Sequence, residues 1–411
     1  MLPWVWRRFA KSVVDVKNMN KISPDNANSP RVLLAVRIDA NGPCRLPGIF
    51  HAAGCRVILF CPEHIAVRQS RYVHRHLNAP RDAAAFAEAL RAHLAEYGAE
   101  YAWVQPGDET VLRAIALRYQ EDWTWRCLPV PADEQHVRLI TDKLAFLTAA
   151  EAAGLPVPPM VVCSSPAEVD AALERIPFPL VVKRKESLSG SGVSFFENAA
   201  AFIEHECTPE HPLMLQSFID GVNCSSEVLF DHGRPVVWLN SYHIEAWPSH
   251  WAASCVRKLA DLPGVEDMLH RIGALTQFHG LAGVDWLREG GDGRIYLIEL
   301  NPRPAPCHHL GPRVGVNLSE ALGQQVRGGH PAVQRPRPPE AKSALVHLFP
   351  QFCYWVVDNR AWSRIWLAGE DLPWREPRLT LALLRRWLTH YAPHDLKHQL
   401  KHALSSLSMK R

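Results

Sequence analysis

The chain has 411 residues, 47% of them hydrophobic and 21% charged, with a formal net charge of +3 and a pI near 8.3. At about 100–200 residues per domain this length asks for two to four structural units. The composition excludes a disordered chain, and so small a charge imbalance gives no case for nucleic acid as a partner. Ten Cys are dispersed at 44, 55, 61, 127, 163, 207, 224, 255, 307 and 353 without a CxxC pair. That excludes a zinc ribbon or thioredoxin-like motif, and the thiols read as reduced ones in a cytoplasm.

No apolar run reaches the roughly 20 residues of a spanning helix. The opening MLPWVWRRFAKSVV has charges but no uninterrupted apolar core, so it is not expected to be a secretory signal. Trp4, Trp6 and Phe9 could touch a membrane surface; docking on the body of the protein is the favoured reading. Residues 1–30 end in a turn-rich stretch and are expected to form a flexible segment. Then RVLLAVRID (31–39), CRVILFC (55–61) and EYAWVQP (100–106) alternate with helix-length segments, including an Ala-rich helix over 82–97. That pattern predicts a small parallel α/β unit. The turn after the first strand reads DANGPCRLPG. It contains no GxGxxG, and no GxxxxGK[ST] occurs anywhere, which disfavours a nicotinamide dehydrogenase and a P-loop ATPase.

DKLAFLTAAEAAGLPVPP (142–159) predicts a helix opening at Asp142 and closing at Gly154. PLVVKRK (179–185) predicts a strand, ESLSGSGV (186–193) a Gly/Ser loop, and SFF the next strand. LMLQSFIDG (213–221) and residues 225–247 are strand-rich, with a turn over Asp231–Arg234. Helices are predicted over 265–280 and near 318–327. From 331 a Pro-rich linker leads to a helical tail, basic at its end. Contact of residues 378–411 with anionic lipid is the less favoured reading; a helical cap on the body is preferred.

The chemistry concentrates in GVDWLREGGDGRIYLIELN (283–301), where two alternating segments flank a Gly-rich turn and predict a hairpin. With the turn centred on Asp292, Asp285 faces Glu299 and Gly283 faces Asn301. Residues two apart share a face, so Asn301 sits beside Glu299, and Leu287 and Leu297 are expected on that face too. Two opposed carboxylates repel by roughly 0.2–1 kcal/mol, and burial worsens this. A divalent cation reverses the sign. Asp285, Glu299 and Asn301 offer hard oxygen donors suited to Mg²⁺. Arg303, just beyond, could hold a phosphoryl group or a carboxylate by two hydrogen bonds. Lys183 ends an apolar strand just before Ser189, Gly190, Ser191 and Gly192, where backbone N–H groups could approach phosphates.

Together these motifs resemble the ATP-grasp family over about residues 31–330: a helix with Lys143, a strand ending in Lys183, the Ser189–Gly192 loop, a strand running into Gln216, Ser217, Phe218 and Ile219, and the closing Glu299-Leu300-Asn301. The resemblance implies a mixed α/β and α+β chain: a flexible segment (1–30), a parallel pre-ATP-grasp α/β domain (31–130), a small lobe (131–222), a metal-binding lobe (223–330) and a Pro-rich linker with a helical extension (331–411). It implies that Lys143 and Lys183 bind α- and β-phosphates, that the Gly loop closes over the phosphates, and that Gln216 to Ile219 frame adenine. Glu227 would lie near ribose or metal. Many members carry Glu where this chain has Ser217, with Asp220 a substitute for the ribose contact. The implied cofactors are ATP and Mg²⁺, with Mn²⁺ an alternative.

The implied activity is a ligase that converts a carboxylate to an acyl phosphate and joins it to an amine, with a homodimer allowed. The alternatives are a bicarbonate-dependent carboxylase-type enzyme and a catalytically silent ATP-binding protein. His308 and His309 follow the Arg303 segment and could line the substrate pocket. His243 and His250 lie among Trp238, Trp247 and Trp251, a stretch that could wall an acceptor site, without metal-ligand spacing.

Overall fold

The computed structural model describes residues 28–184, 193–202, 206–249 and 252–390. The Ser189–Gly192 loop, the N-terminal Trp4, Trp6 and Phe9, His250, Trp251 and the tail beyond residue 390 lie outside the described residues. Three sheets organise the rest. The first is parallel, in the order β3-β2-β1-β4, from β1 (Arg31–Ala35), β2 (Arg56–Cys61), β3 (Val73–Asn78) and β4 (Trp103–Pro106). Val32 to Ala35 are wholly buried, as a central strand covered on both faces should be. Helices α1 (Asn41–Ala52) and α2 (Ala83–Tyr97) connect strands of this sheet, and α3 (Glu109–Ala116) follows β4.

Two features of this sheet differ from the sequence reading. The DANGPCRLPG stretch is mostly helix: Pro43 falls in the first turn of α1, where a missing N–H costs nothing, and Pro47 is accommodated inside the helix. Strand β3, VHRHLN, is largely exposed. It lies at the sheet edge, and a strand with little burial carries no apolar signature.

The chain continues through α4 (Glu134–Thr141) and α5 (Lys143–Ala152) into an antiparallel sheet ordered β5-β8-β6-β7, with β5 (Met160–Cys163), β6 (Leu180–Arg184), β7 (Val193–Phe196) and β8 (Leu213–Ser217). Helix α6 (Pro166–Leu173) packs on it. Asp142 caps α5 by accepting from the N–H of Leu144 and Ala145, and Gly154 takes φ +73° beyond its end, as anticipated.

The third sheet has six antiparallel strands in the order β13-β12-β9-β10-β11-β14. They are β9 (Gly221–Asp231), β10 (Arg234–Ala246), β11 (Ser254–Leu259), β12 (Gly280–Glu289), β13 (Ile295–Asn301) and β14 (Leu345–His347). One face buries Val228, Phe230, Trp238, Ala282, Val284, Trp286, Leu297 and Leu300 with Leu269 and Ile272 of α7 (Val265–Thr276) and with Phe146 of α5. The other carries Leu229, Leu239 and Leu281 together with a row of polar side chains. Helix α8 (Leu318–Val326) packs near α1.

The segment beyond 331 is not purely helical: β14 adds a strand to this sheet before α9 (Gln351–Asp358) and α10 (Pro377–His390). All ten Cys are free and buried. No helix among the described residues is long and apolar enough to cross a membrane.

Candidate active site

The β12–β13 hairpin pairs Asp285 with Glu299 and Gly283 with Asn301, the register counted from the turn. A β-bulge then shifts the pairing by one, so Leu297 faces Trp286 rather than Leu287. Leu297 is therefore in the core on the opposite face, and the expectation that it shares a face with Leu287 and the carboxylates is corrected. The indole of Trp286 fills that core and donates from Nε1 to Ser226 Oγ at 2.8 Å. The bulge lets this packing coexist with the opposed acids on the other face.

Asn301 Nδ2 donates to Asp285 Oδ2 at 2.8 Å, and Lys143 Nζ lies 2.8 Å from Glu299 Oε2. Burial, and next the neighbouring Glu299, push Asp285 from 3.8 up to about 7. Burial brings Lys183 down to about 8; Glu299 opposes this and Lys143 adds to it. Arg303 Nη2 reaches Asn301 Oδ1 at 3.4 Å, and its Nε lies 3.6 Å from Glu109 Oε2 at the start of α3. Glu109 is also held by Arg113 at 3.1 Å. Asp108 caps α3, and its other oxygen accepts from the N–H of Arg37 and Ile38, which fixes the loop after β1 beside the site. Thus α5, β6, β12, β13 and the first sheet converge on one carboxylate pair.

A cation fits this arrangement. Asp285, Glu299 and Asn301 are three oxygen donors on one face. The like charges they bring together are contacted directly by the Lys143 ammonium and the Asn301 amide, with Arg257, Arg303 and Lys183 acting from further away. Turning that amide over would aim its oxygen at an ion between the acids.

The hinge segment follows β8. Gln216 is buried and its Nε2 has no partner among the described residues. Ser217 N–H donates to Pro159 O at 2.8 Å and Phe218 N–H to Pro179 O at 3.2 Å, so these two donors are spent within the protein. Phe218 meets Phe195 edge-on at 5.0 Å, and Ile219 is half-buried.

Glu227 pairs with Gly283 in register, and its Oε1 accepts from Arg257 Nη1 at 2.6 Å. The same Nη1 donates to Ser225 Oγ at 2.6 Å, and Ser225 meets His243 Nε2 at 3.1 Å. Glu227 Oε2 and Arg257 Nε are buried without partners among the described residues. Burial, with Arg257 beside it, holds His243 well below the usual imidazole range.

Arg257 is a residue that sequence reading passed over. Nothing in SCVRKL marks it, since its partners lie two strands away. His308 and His309 are both engaged within the protein. His308 is buried, accepting from Ala305 N–H and donating to Val228 O, while His309 binds Asp371 at 2.8 Å, beside Arg45. Trp238 is in the core of the opposite face and Trp247 packs on Tyr354, so the described Trp of that stretch do not wall this site.

Residues 140–306 match the family model of the ATP-grasp domain. The chain carries an ATP-grasp domain. The matched span contains the Lys143 and Lys183 ammoniums, the hinge and the whole β12–β13 hairpin. Among curated relatives, the D-alanine–D-alanine ligase of Xylella fastidiosa is 28% identical over 200 residues, 44% of this chain and 64% of that one. The carbamoyl phosphate synthase large chain of Pyrococcus furiosus is 24% identical over 200 residues, 46% of this chain and 19% of that one. The aligned regions thus span less than two thirds of either relative. Among solved structures, the ADP complex of N5-carboxyaminoimidazole synthetase from Staphylococcus aureus superposes with a TM-score of 0.61 over 82% of this chain and 86% of that one, at 14% identity. This likeness is one of fold.

Proposed function

We propose that this ATP-grasp chain is an ATP- and Mg²⁺-dependent ligase that activates a carboxylate as an acyl phosphate and joins it to an amine. The observation that carries the reading is the Asp285–Glu299 pair, opposed in register on one face, with Asn301 alongside and Lys143 at 2.8 Å. The ligases among its relatives support the reaction class.

In the first step a substrate carboxylate oxygen attacks the γ-phosphorus of ATP. The P–O bond to the β-phosphate breaks and ADP leaves. In the second an amine nitrogen attacks the acyl carbon, inorganic phosphate departs and the nitrogen loses a proton. Asp285, Glu299 and Asn301 would hold the ion, which supplies charge neutralisation at the β- and γ-phosphate oxygens. Lys143 and Lys183 place two positive charges beside the same oxygens. Arg303, tethered to Glu109, presents a planar guanidinium to the transferring group or the substrate carboxylate. No protein nucleophile is required, because the work is positioning and charge stabilisation.

The test is an ADP-release screen of the purified chain against amino acids and small carboxylates, with and without amines. Glu299→Ala, which removes an ion ligand and the Lys143 partner, should abolish release while circular dichroism stays native. Full turnover by that variant would refute the assignment. Bicarbonate-dependent release without an amine would move the reading to a carboxylase-type enzyme.

A further inference from the structure

The turn between β9 and β10 and the start of β12 gather a second group of potential ligands. Asp231, His232 and His279 bring one ligand atom each within 4.8 Å of one another. His330, after α8, places Nδ1 3.0 Å from Asp231 Oδ2. Asp231 lies six residues along β9 from Ser225, the cross-strand partner of Asp285. That is about 20 Å at 3.3–3.4 Å per residue, so this group is separate from the ATP centre.

We propose that Asp231, His232 and His279, with His330 as a fourth ligand, form a binding site for a divalent transition-metal ion of the zinc class. Three observations carry this. First, Asp231 is only 5% exposed, and among the described residues its one permanent cationic neighbour is the half-exposed Arg234, 3.5 Å away. A carboxylate withdrawn from water calls for a closer counter-charge. Second, His279 Nδ1 accepts from His232 N–H at 3.2 Å and from Gln325 Nε2 at 2.9 Å. The Gln325 amide nitrogen can only donate, so Nδ1 is held unprotonated, the form that ligates. Third, His232 occupies the turn with φ +46°, in the left-handed region, with its ring exposed.

The donor chemistry, imidazole nitrogen with one carboxylate, is that of zinc, cobalt or nickel rather than of magnesium. Ligand bonds of roughly 2.0–2.2 Å require these atoms, now within 4.8 Å of one another, to draw closer. The rings of His232 and His279 are stacked, with centroids 3.9 Å apart. Parallel rings cannot aim two in-plane lone pairs at one ion, so His232 swings about its side-chain bonds as the ion is seated. The ion would take the His279 Nδ1 lone pair from both donors: from Gln325, whose amide keeps its bond to Phe230 O, and from the His232 N–H, which the turn must release as His232 re-aims. His232 and His279 also line a cavity of about 610 Å³, so a coordination position left open would face a space large enough for a small ligand.

The experiment uses the full chain stripped with EDTA. Zn²⁺ is titrated by calorimetry in the Glu299→Ala background, to keep the ATP centre from contributing, and Co²⁺ absorption reports the coordination geometry. One equivalent of Zn²⁺ should bind, with a d–d spectrum typical of nitrogen and oxygen ligands and a rise in the unfolding temperature. His232→Asn preserves a residue tolerant of positive φ and should weaken binding at least tenfold, as should Asp231→Asn and His330→Ala. Should Asp231→Asn fail to fold, the two exposed histidine variants decide the question. Absence of stoichiometric Zn²⁺ binding overturns the proposal, as does an affinity unchanged in His232→Asn and His330→Ala.

Discussion

Asp285→Asn should stabilise the metal-free protein while abolishing its activity. Burial and Glu299 raise Asp285 from 3.8 to about 7. Between those values the unfolded chain has released the proton and the folded chain retains it, so stability falls as pH rises through this window and stays lowered above about 7. Three units at 1.36 kcal/mol each set a ceiling of about 4 kcal/mol. Lys143 and Asn301 already contact the pair, and the side chain is partly exposed, so after solvent screening on the order of 1–2 kcal/mol is expected. Asn keeps the shape and can still accept from Asn301 through its own carbonyl. The measurement is the unfolding temperature of both proteins in EDTA at pH 4.5 and pH 8. The variant should gain a few degrees at pH 8 and little at pH 4.5. Adding Mg²⁺ at pH 8 should raise only the wild type. A variant less stable than wild type at pH 8, or a gain independent of pH, would show that the two carboxylates do not oppose each other in a buried setting.

Lys183, held near 8 by burial with Lys143 beside it, loses its charge as pH rises through that value. KM for ATP should therefore climb above pH 8, and Lys183→Arg, which keeps its charge, should flatten the climb; an unchanged profile would remove Lys183 from the phosphates. Arg257→Met leaves Glu227 buried and unpaired, which should cost about 3–5 kcal/mol by denaturant titration, and the Glu227→Leu/Arg257→Met double variant should recover most of it. At Gly273 an added Cβ would fall 1.8 Å from Gly233 O, whereas at Gly291 it would meet nothing within 4 Å. Gly273→Ala should thus lose at least about 1–3 kcal/mol, against a near-neutral Gly291→Ala in the same thermal assay.

The part of the site legible in the sequence is the part set locally. Counting outward from a Gly-rich turn with period two is enough to oppose Asp285 to Glu299, and the Asp142 cap and Gly154 stop bracket the helix that brings Lys143. The bulge was not legible, because it answers to the burial of Trp286 and Leu297 in a core contributed by α5 and α7. Arg257 was invisible for a related reason: its role exists only once β9, β10 and β11 are side by side. Strand β14 escaped notice because three residues in a Pro-rich stretch carry no periodicity.

The same distinction bears on specificity. The groups proposed to handle phosphate sit on the hairpin, on α5 and on β6, elements whose sequence patterns declare them. Two groups with unmet hydrogen-bonding capacity among the described residues are Glu227 Oε2, whose residue pairs with Gly283, and Arg257 Nε of its ion-pair partner. The Cβ absent from Gly283 would meet Ala305 at 3.2 Å, so a larger residue there would crowd the chain that follows Asn301. A buried acid and a buried guanidinium, each with one free position, are suited to reading the polar ends of a small substrate rather than its apolar body. If so, Arg257→Lys, which keeps the charge but loses the fork, should raise KM for the carboxylate substrate far more than KM for ATP; equal effects on both would assign the pair to scaffolding alone.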